Sequence, residues 1–225
     1  LSSYRDGERG LAALTEAIAD SPARIRFGSL EVGVVDEAFL KACQKVRNFA
    51  PQFHLSLQSG SSEVLRAMNR HYTREDYLAR CAMIRSAFPN AAITTDLIAG
   101  FPTETEKNFE ESLSIISEAG FSQVHCFAYS PREGTNAAKL KDLPAEVKRE
   151  RLHRLLCEAE AAKQRYLRAQ LGRTLTLLCE EREGGDTVGY TENYVRAYLA
   201  GDASGMVRVR AESLYEGGVR AVRIE

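Results

Sequence analysis

At 225 residues, with 30 Lys and Arg against 31 Asp and Glu, the chain has a formal net charge of −1, so no global field draws it to nucleic acid or an anionic membrane. Apolar residues at 44% and charged residues at 27% are ordinary for a globular protein with a substantial core, and no apolar run approaches the roughly 18–20 residues that span a bilayer. With no signal peptide visible, these features predict a cytoplasmic protein without a membrane partner.

The five cysteines, Cys43, Cys81, Cys126, Cys157 and Cys179, are odd in number and widely spaced. That argues against a disulfide framework and suits a reducing compartment. No two stand close enough for a C-x-x-C type motif, so they read as ordinary thiols. The chain opens at Leu1 in the turn-like or strand-like piece Leu1-Ser2-Ser3-Tyr4, which reads as the start of an excised fragment.

In chain order, Leu11, Leu14 and Ile18 predict a helix within Gly10–Asp20 that Ser21-Pro22 breaks. Ile25–Leu30 reads as a strand, and Asp36 as the cap of a helix carrying Phe39, Leu40, Cys43 and Val46 on one face. A strand over Phe53–Leu57 precedes helical stretches around Glu63–Met68 and Arg74–Phe88, the second capped by Thr73. Ala91–Ala99 is a nearly continuous apolar strand. Thr103 three residues before Glu106 forms a capping-box pattern for the next helix, buried through Phe109, Leu113 and Ile116. Val124–Ala128 is the last strand of this series, and Pro144 opens a long helix with Leu152, Leu155, Ala159, Ala162 and Tyr166 along one side.

Strands alternating with helices predict parallel βαβ units of the α/β class. Periodicity leaves both an open doubly wound sheet and a curved barrel possible, and the succession of single strand–helix units leans toward the barrel. After Gly172 the pattern changes to Thr174–Leu178, Thr187–Tyr190, Tyr194–Leu199, Met206–Val209 and Val219–Ile224, short strands between turn signals. They predict a small all-β barrel. The expected division is 1–170 and 171–225.

Ligands of parallel βα architectures sit where the loops leave the C-terminal strand ends. Glu31, Gln58, Asp96 and Tyr129 fall there on successive strands, a set able to surround a polar small molecule. Singly, Glu31 also reads as a solvated carboxylate, and Gln58 and Asp96 as helix caps. Gly60 in Ser59-Gly60-Ser61-Ser62 and Gly100 in Ala99-Gly100-Phe101-Pro102 join strand ends to helix starts, where backbone can approach a ligand and N–H donors are free. No phosphate-loop pattern or G-x-S-x-G elbow is present. His54, His71, His125 and His153 are too scattered to predict a zinc site.

Four strings, RIRFGSLE, FHLSLQSGSSEVLRAMNRHYTREDYL, ITTDLIAGFPTETEKNFEESL and FAYSPREGTNAAKL, closely resemble the radical S-adenosylmethionine methylthiotransferase family. HLSLQSG together with the tail string GYTENYVRAYL looks most like the branch acting on N6-threonylcarbamoyladenosine in tRNA. The resemblance covers essentially the whole chain. It implies a partial (β/α) barrel of radical SAM type followed by a TRAM domain, a small β-barrel associated with RNA binding. It also implies that Glu31 and Arg70 face the methionyl amino and carboxylate groups of S-adenosylmethionine. Gln58, with Ser59 beside it, and Asp96 would lie near the ribose, and Gly100-Phe101-Pro102 on the adenine side. Guanidinium suits carboxylate, and carboxylate and amide suit ammonium and hydroxyls. One departure is Val32-Gly33 after the SLE string, where the family usually has proline.

The family's C-x-x-x-C-x-x-C motif, and three earlier cysteines holding a second cluster, would precede Leu1. The full-length parent is therefore expected to carry two 4Fe–4S clusters and this chain none, leaving the chain alone inactive. The parent's implied reaction places a methylthio group at C2 of the modified adenosine beside the anticodon; the loop Tyr129–Thr135, with Arg132, is a candidate for the substrate side and otherwise reads as a solvated connection.

From Leu171 to Glu225 seven arginines face nine carboxylates, so the tail is not basic overall. Arg196 with Tyr190 and Tyr194 is the better candidate surface for the tRNA anticodon arm, with Lys163, Arg165, Arg168 and Arg173 near the boundary. The alternatives are a noncatalytic RNA-binding protein on a decayed barrel, and a methylthiotransferase acting on another tRNA adenosine or on a ribosomal protein.

Overall fold

The side on which each new parallel strand is added separates a doubly wound sheet from a barrel. The computed structural model describes residue 4 and residues 10–224, so the opening Leu1-Ser2-Ser3 lies outside the described residues. Strands β1 (Ser29–Leu30), β2 (Gln52–Leu55), β3 (Ala92–Ala99) and β4 (Gln123–Ala128) lie side by side in chain order and pair in parallel throughout. Right-handed crossovers that never reverse direction put the helices on one face. The result is an arc of barrel rather than a doubly wound sheet.

Side chains alternate between the two faces of the arc. Phe53, Leu55, Ile93, Leu97 and Val124 enter the main core with Phe39, Tyr77, Phe109 and Phe121. Between them in sequence, Gln52, His54, Thr94, Asp96, Gln123 and His125 occupy the opposite face. Polar residues dominate that layer, buried at Gln52 and Thr94 and more open toward Asp96 and His125.

The helices are α1 (Leu11–Ala17), α2 (Glu37–Lys45), α3 (Ser62–Ala67), α4 (Arg74–Ala87), α5 (Glu106–Ala119) and α6 (Ala145–Arg168). Asp36 caps α2 by accepting the Phe39 N–H at 2.7 Å, and Thr73 closes a capping box with Asp76. Two expectations need correction. The cap of α5 is Thr105, boxed with Asn108, because Thr103 lies in the preceding turn, where Glu104 folds back to accept the Gly100 N–H at 2.8 Å. The strand expected over Ile25–Leu30 is regular only at its end. Ile25 instead pairs with the irregular segment before β2, through Ile25 N–H to Asn48 and Ala50 N–H to Ile25.

Beyond α6, β5 (Thr174–Glu183), β6 (Asp186–Thr191), β7 (Arg196–Ala200), β8 (Met206–Tyr215) and β9 (Gly218–Arg223) close a barrel in the order β5-β6-β7-β9-β8. Its own core contains Leu175, Leu177, Val195, Val209 and Val219, with Leu167 from the end of α6. The strand expected to begin at Tyr194 begins at Arg196, since Tyr194 turns the chain at φ 62. Arg24 joins the two parts by donating to the carbonyls of Tyr190 at 2.7 Å and Thr176 at 2.8 Å. Among the described residues no helix is long and apolar enough to cross a membrane.

Candidate cofactor site at the strand ends

Just beyond β2, Gln58 extends the sheet by one bridge. Its N–H donates to the Asp96 carbonyl at 2.8 Å, and its carbonyl accepts from the Ile98 N–H at 2.9 Å. These bonds hold Gln58 at φ 76, a left-handed conformation uncommon for a residue other than glycine and concentrated where function demands it. The chain then enters α3 through a loop stapled to α5. There Gly60 N–H donates to Ser112 Oγ at 3.0 Å, and Arg74 donates to the carbonyls of Gly60 at 2.9 Å and Glu111 at 2.6 Å.

Two expected ligand residues have polar groups engaged within this scaffold. Ser59 is fully buried; its hydroxyl lies 3.3 Å from Ser112 Oγ and accepts the Ser61 N–H at 3.2 Å. Gly100 sits at φ 78 with its N–H committed to Glu104. Their neighbours do face open space. A cleft of about 1040 Å³ is walled by Gln58, Asp96, Phe101 and Arg132, joined by Arg66 and Asn69. Tyr129 also lines it, edge-on to Phe101 with ring centroids 5.3 Å apart. Its buried hydroxyl lacks a hydrogen-bond partner among the described residues.

Glu31 and Arg70 form a second group around Tyr72, outside that wall. The Tyr72 hydroxyl donates to the carbonyls of Ser56 at 2.8 Å and Leu57 at 3.0 Å. Burial chiefly raises its pKa, while Arg70 pulls it down and Glu31 pushes it up, which sets both charges near the ends of β1 and β2. Sequence reasoning missed Arg66, whose position on α3 reads as an ordinary solvated helix face.

It also missed the histidines beneath the cleft. His54 Nε2 lies 3.2 Å from Asp96 Oδ2, β3–β4 register sets His125 beside Asp96, and the two imidazole centroids are 5.9 Å apart. Each of His54, Asp96 and His125 offers a ligand atom within 4.8 Å of the others, the one such group found among the described residues. Two of the histidines therefore do converge.

The cysteines do not form such a set. Burial pushes Cys43 and Cys81 up to about 12 and Cys126 up to about 11, whereas cluster ligation needs thiolates. No three thiols of the described residues come together, so these residues do not fit an iron–sulfur cluster. They do fit a nucleoside-like cofactor. The cleft has the size of a small-molecule site, with carboxylate and amide for hydroxyls and an aromatic wall for a base.

Tyr194 and Arg196, grouped with Arg132 by sequence, lie elsewhere. They line a cleft of about 290 Å³ with Gln52, Ala92 and Gln123, at the N-terminal ends of β2 to β4. Tyr194 stacks on Tyr190 with centroids 4.4 Å apart and carries the Arg26 guanidinium 4.6 Å from its centroid. Arg196 is already paired with Glu183 at 2.6 Å and Glu181 at 3.3 Å. The residues expected to face RNA thus divide between opposite ends of the sheet.

A barrel arc of parallel strands, with polar groups gathered at the strand ends, is the arrangement in which α/β proteins hold small ligands. The Radical SAM superfamily model matches residues 3–116, and the chain belongs to that superfamily, which implies S-adenosylmethionine and iron–sulfur chemistry. It is 39% identical over 212 residues to the tRNA-2-methylthio-N(6)-dimethylallyladenosine synthase of Oceanobacillus iheyensis, covering 92% of this chain and 41% of the relative. It is 46% identical over 154 residues to the synthase of the same name from Bacillus thuringiensis, covering 68% and 30%. The chain thus spans about two fifths or less of these relatives. Their names specify dimethylallyladenosine, so the threonylcarbamoyl branch gains no support from them. The solved structure of coproporphyrinogen III oxidase from Escherichia coli aligns at TM-score 0.48 and 21% identity, over 62% of this chain and 32% of its own.

Proposed function

We propose that this chain is the cofactor-facing portion of a tRNA methylthiotransferase that adds a methylthio group at C2 of an N6-substituted adenosine beside the anticodon. The observation that carries this reading is the strand-end cleft, where Gln58, Asp96 and Phe101 share one wall. Asp96 and Gln58 suit the ribose hydroxyls of S-adenosylmethionine, and Phe101 suits its adenine. Glu31 and Arg70 would take the methionyl ammonium and carboxylate from the adjoining group around Tyr72. The superfamily's iron–sulfur cluster would be held by residues other than the thiols described above, and it would supply the electron for cleaving the cofactor. The side chains of this portion bind and orient the molecule to be cleaved.

The tRNA anticodon arm is the proposed partner, in the cytoplasm, with Arg132 on the cleft side. Tyr194 and Arg196 would offer a second contact, and the closed five-strand barrel would act as a TRAM domain. The names of the relatives favour a dimethylallyl substituent. Arg66 and Arg132 in the cleft wall favour a second reading, because guanidinium groups suit the carboxylate of a threonylcarbamoyl group.

The test uses the complete enzyme containing this chain, expressed in cells stripped of tRNA methylthiolation, with mass spectrometry of digested tRNA. The expected product is methylthiolated dimethylallyladenosine. Product on threonylcarbamoyladenosine alone would establish the second reading. Unmodified tRNA with a methylthiolated ribosomal protein, or with neither product, would overturn both.

A further inference from the structure

Below Asp96 a line of hydrogen bonds crosses the polar face of the sheet, and its two ends fix its direction. Arg26 Nη1 donates to Gln52 Oε1 at 2.9 Å. A guanidinium has only donors, so the Gln52 atom facing it is the carbonyl oxygen, and the other end of the amide can only donate. That end lies 2.9 Å from Thr94 Oγ1, which therefore accepts. No other acceptor for the Thr94 hydroxyl proton is found among the described residues, so it goes to His54 Nδ1 at 3.0 Å. A neutral imidazole accepting at Nδ1 carries its proton on Nε2, and Nε2 faces Asp96 Oδ2 at 3.2 Å. A carboxylate only accepts, so the far end also requires the proton on Nε2 that the near end assigns there.

We propose that His54 is a positioning residue, locked as its Nε2–H tautomer by the line Arg26–Gln52–Thr94, that holds the Asp96 carboxylate for the ligand in the strand-end cleft. The inference deepens the proposed S-adenosylmethionine site and rests on that reading for the identity of the ligand. Burial favours the lock, since Gln52 is 4% and Thr94 7% exposed and water competes little for their bonds. The line starts where Arg26 meets the Tyr194 ring of the small barrel, so docking of that barrel and the setting of Asp96 share a residue. The same proton sets His54 against metal ligation, although His54, Asp96 and His125 each offer a ligand atom within 4.8 Å of the others. A metal at Nε2 would first have to displace this proton, and Asp96 supplies the acceptor that keeps it there.

The test has two readouts on the full 225-residue chain. Ring-nitrogen NMR of the 15N-labelled protein near neutral pH should show His54 as one tautomer, protonated at Nε2, and Thr94→Val should mix the tautomers. Calorimetric titration with S-adenosylmethionine should then show affinity falling about tenfold for His54→Leu. For His54→Gln, whose amide N–H reaches toward Asp96, the loss should stay within about threefold. A wild-type ring protonated at Nδ1, a ring that loses its Nε2 proton to equimolar zinc, or equal losses for the Leu and Gln variants would overturn the proposal. Wild-type protein that fails to bind S-adenosylmethionine would defeat the cofactor reading instead, while the tautomer would still decide whether the line is set as described.

Discussion

Replacing Arg151 with methionine is expected to cost the fold about 3–5 kcal/mol, the usual penalty for stranding one partner of a buried ion pair. Arg151 is 5% exposed, and the Glu104 side chain it meets at 2.8 Å is 0% exposed. The guanidinium also donates to the Glu104 carbonyl at 2.9 Å and to Glu106 at 3.1 Å, and lies 5.3 Å from the Phe109 ring centroid. It therefore ties α6 to the turn that carries Gly100 and Phe101. Without it, Glu104 keeps the Gly100 N–H but no buried cation.

Glu104→Gln should cost less, since Arg151 retains Glu106 and Phe109, and adding it to Arg151→Met should recover part of the loss. Burial already pushes the Glu104 carboxyl up, against the Gly100 N–H and Arg151 that pull it down. A group raised in the folded state adds stability below its unfolded pKa and loses it as pH rises through the folded one. Removing Arg151 raises that group further. The deficit of Arg151→Met, measured as urea midpoints between pH 4 and 8, should accordingly be largest at neutral pH and shrink on acidification. A constant deficit would mean that lost packing, not stranded charge, sets the cost.

Gly60→Ala is expected to destabilise by about 3 kcal/mol, at the upper end of overpacking, and to weaken cofactor binding. A Cβ at Gly60 would stand 2.5 Å from the Glu111 carbonyl oxygen and 2.6 Å from Ser112 Cα. Both are backbone atoms of α5, so no side chain can swing aside. The loop must move off the helix, and Gln58, two residues earlier, moves with it. Urea denaturation reads the first effect and titration with S-adenosylmethionine the second. Wild-type values for both would show that the loop has slack that this geometry denies it.

Local rules made part of this fold legible. Asp36 and Thr73 cap the helices they precede, and the strand ends place Gln58, Asp96 and Tyr129 along one rim. What the sequence hides depends on distant partners. Thr103 and Thr105 both satisfy capping patterns, and the choice falls to Thr105 because Glu104 must reach Gly100 and Arg151. Ser59 and Gly100 look free in their loops, but Ser112 and Glu104 take their polar groups. His54 and His125 are separated along the chain by the whole of β3, whose register alone brings them together. Arg66 follows a helical surface pattern, and nothing local shows that a cleft opens beside it.

Nucleoside-type binding at the C-terminal ends of the sheet strands underlies both the proposed function and the role of His54. Titrating 15N-labelled chain with S-adenosylmethionine and following backbone amides tests it directly. Saturable shifts centred on residues 58–60, 96–101 and 129, with residues 190–196 unmoved, are the predicted result. Shifts centred on the tyrosine cleft at the opposite end, or none at the strand ends, would contradict it.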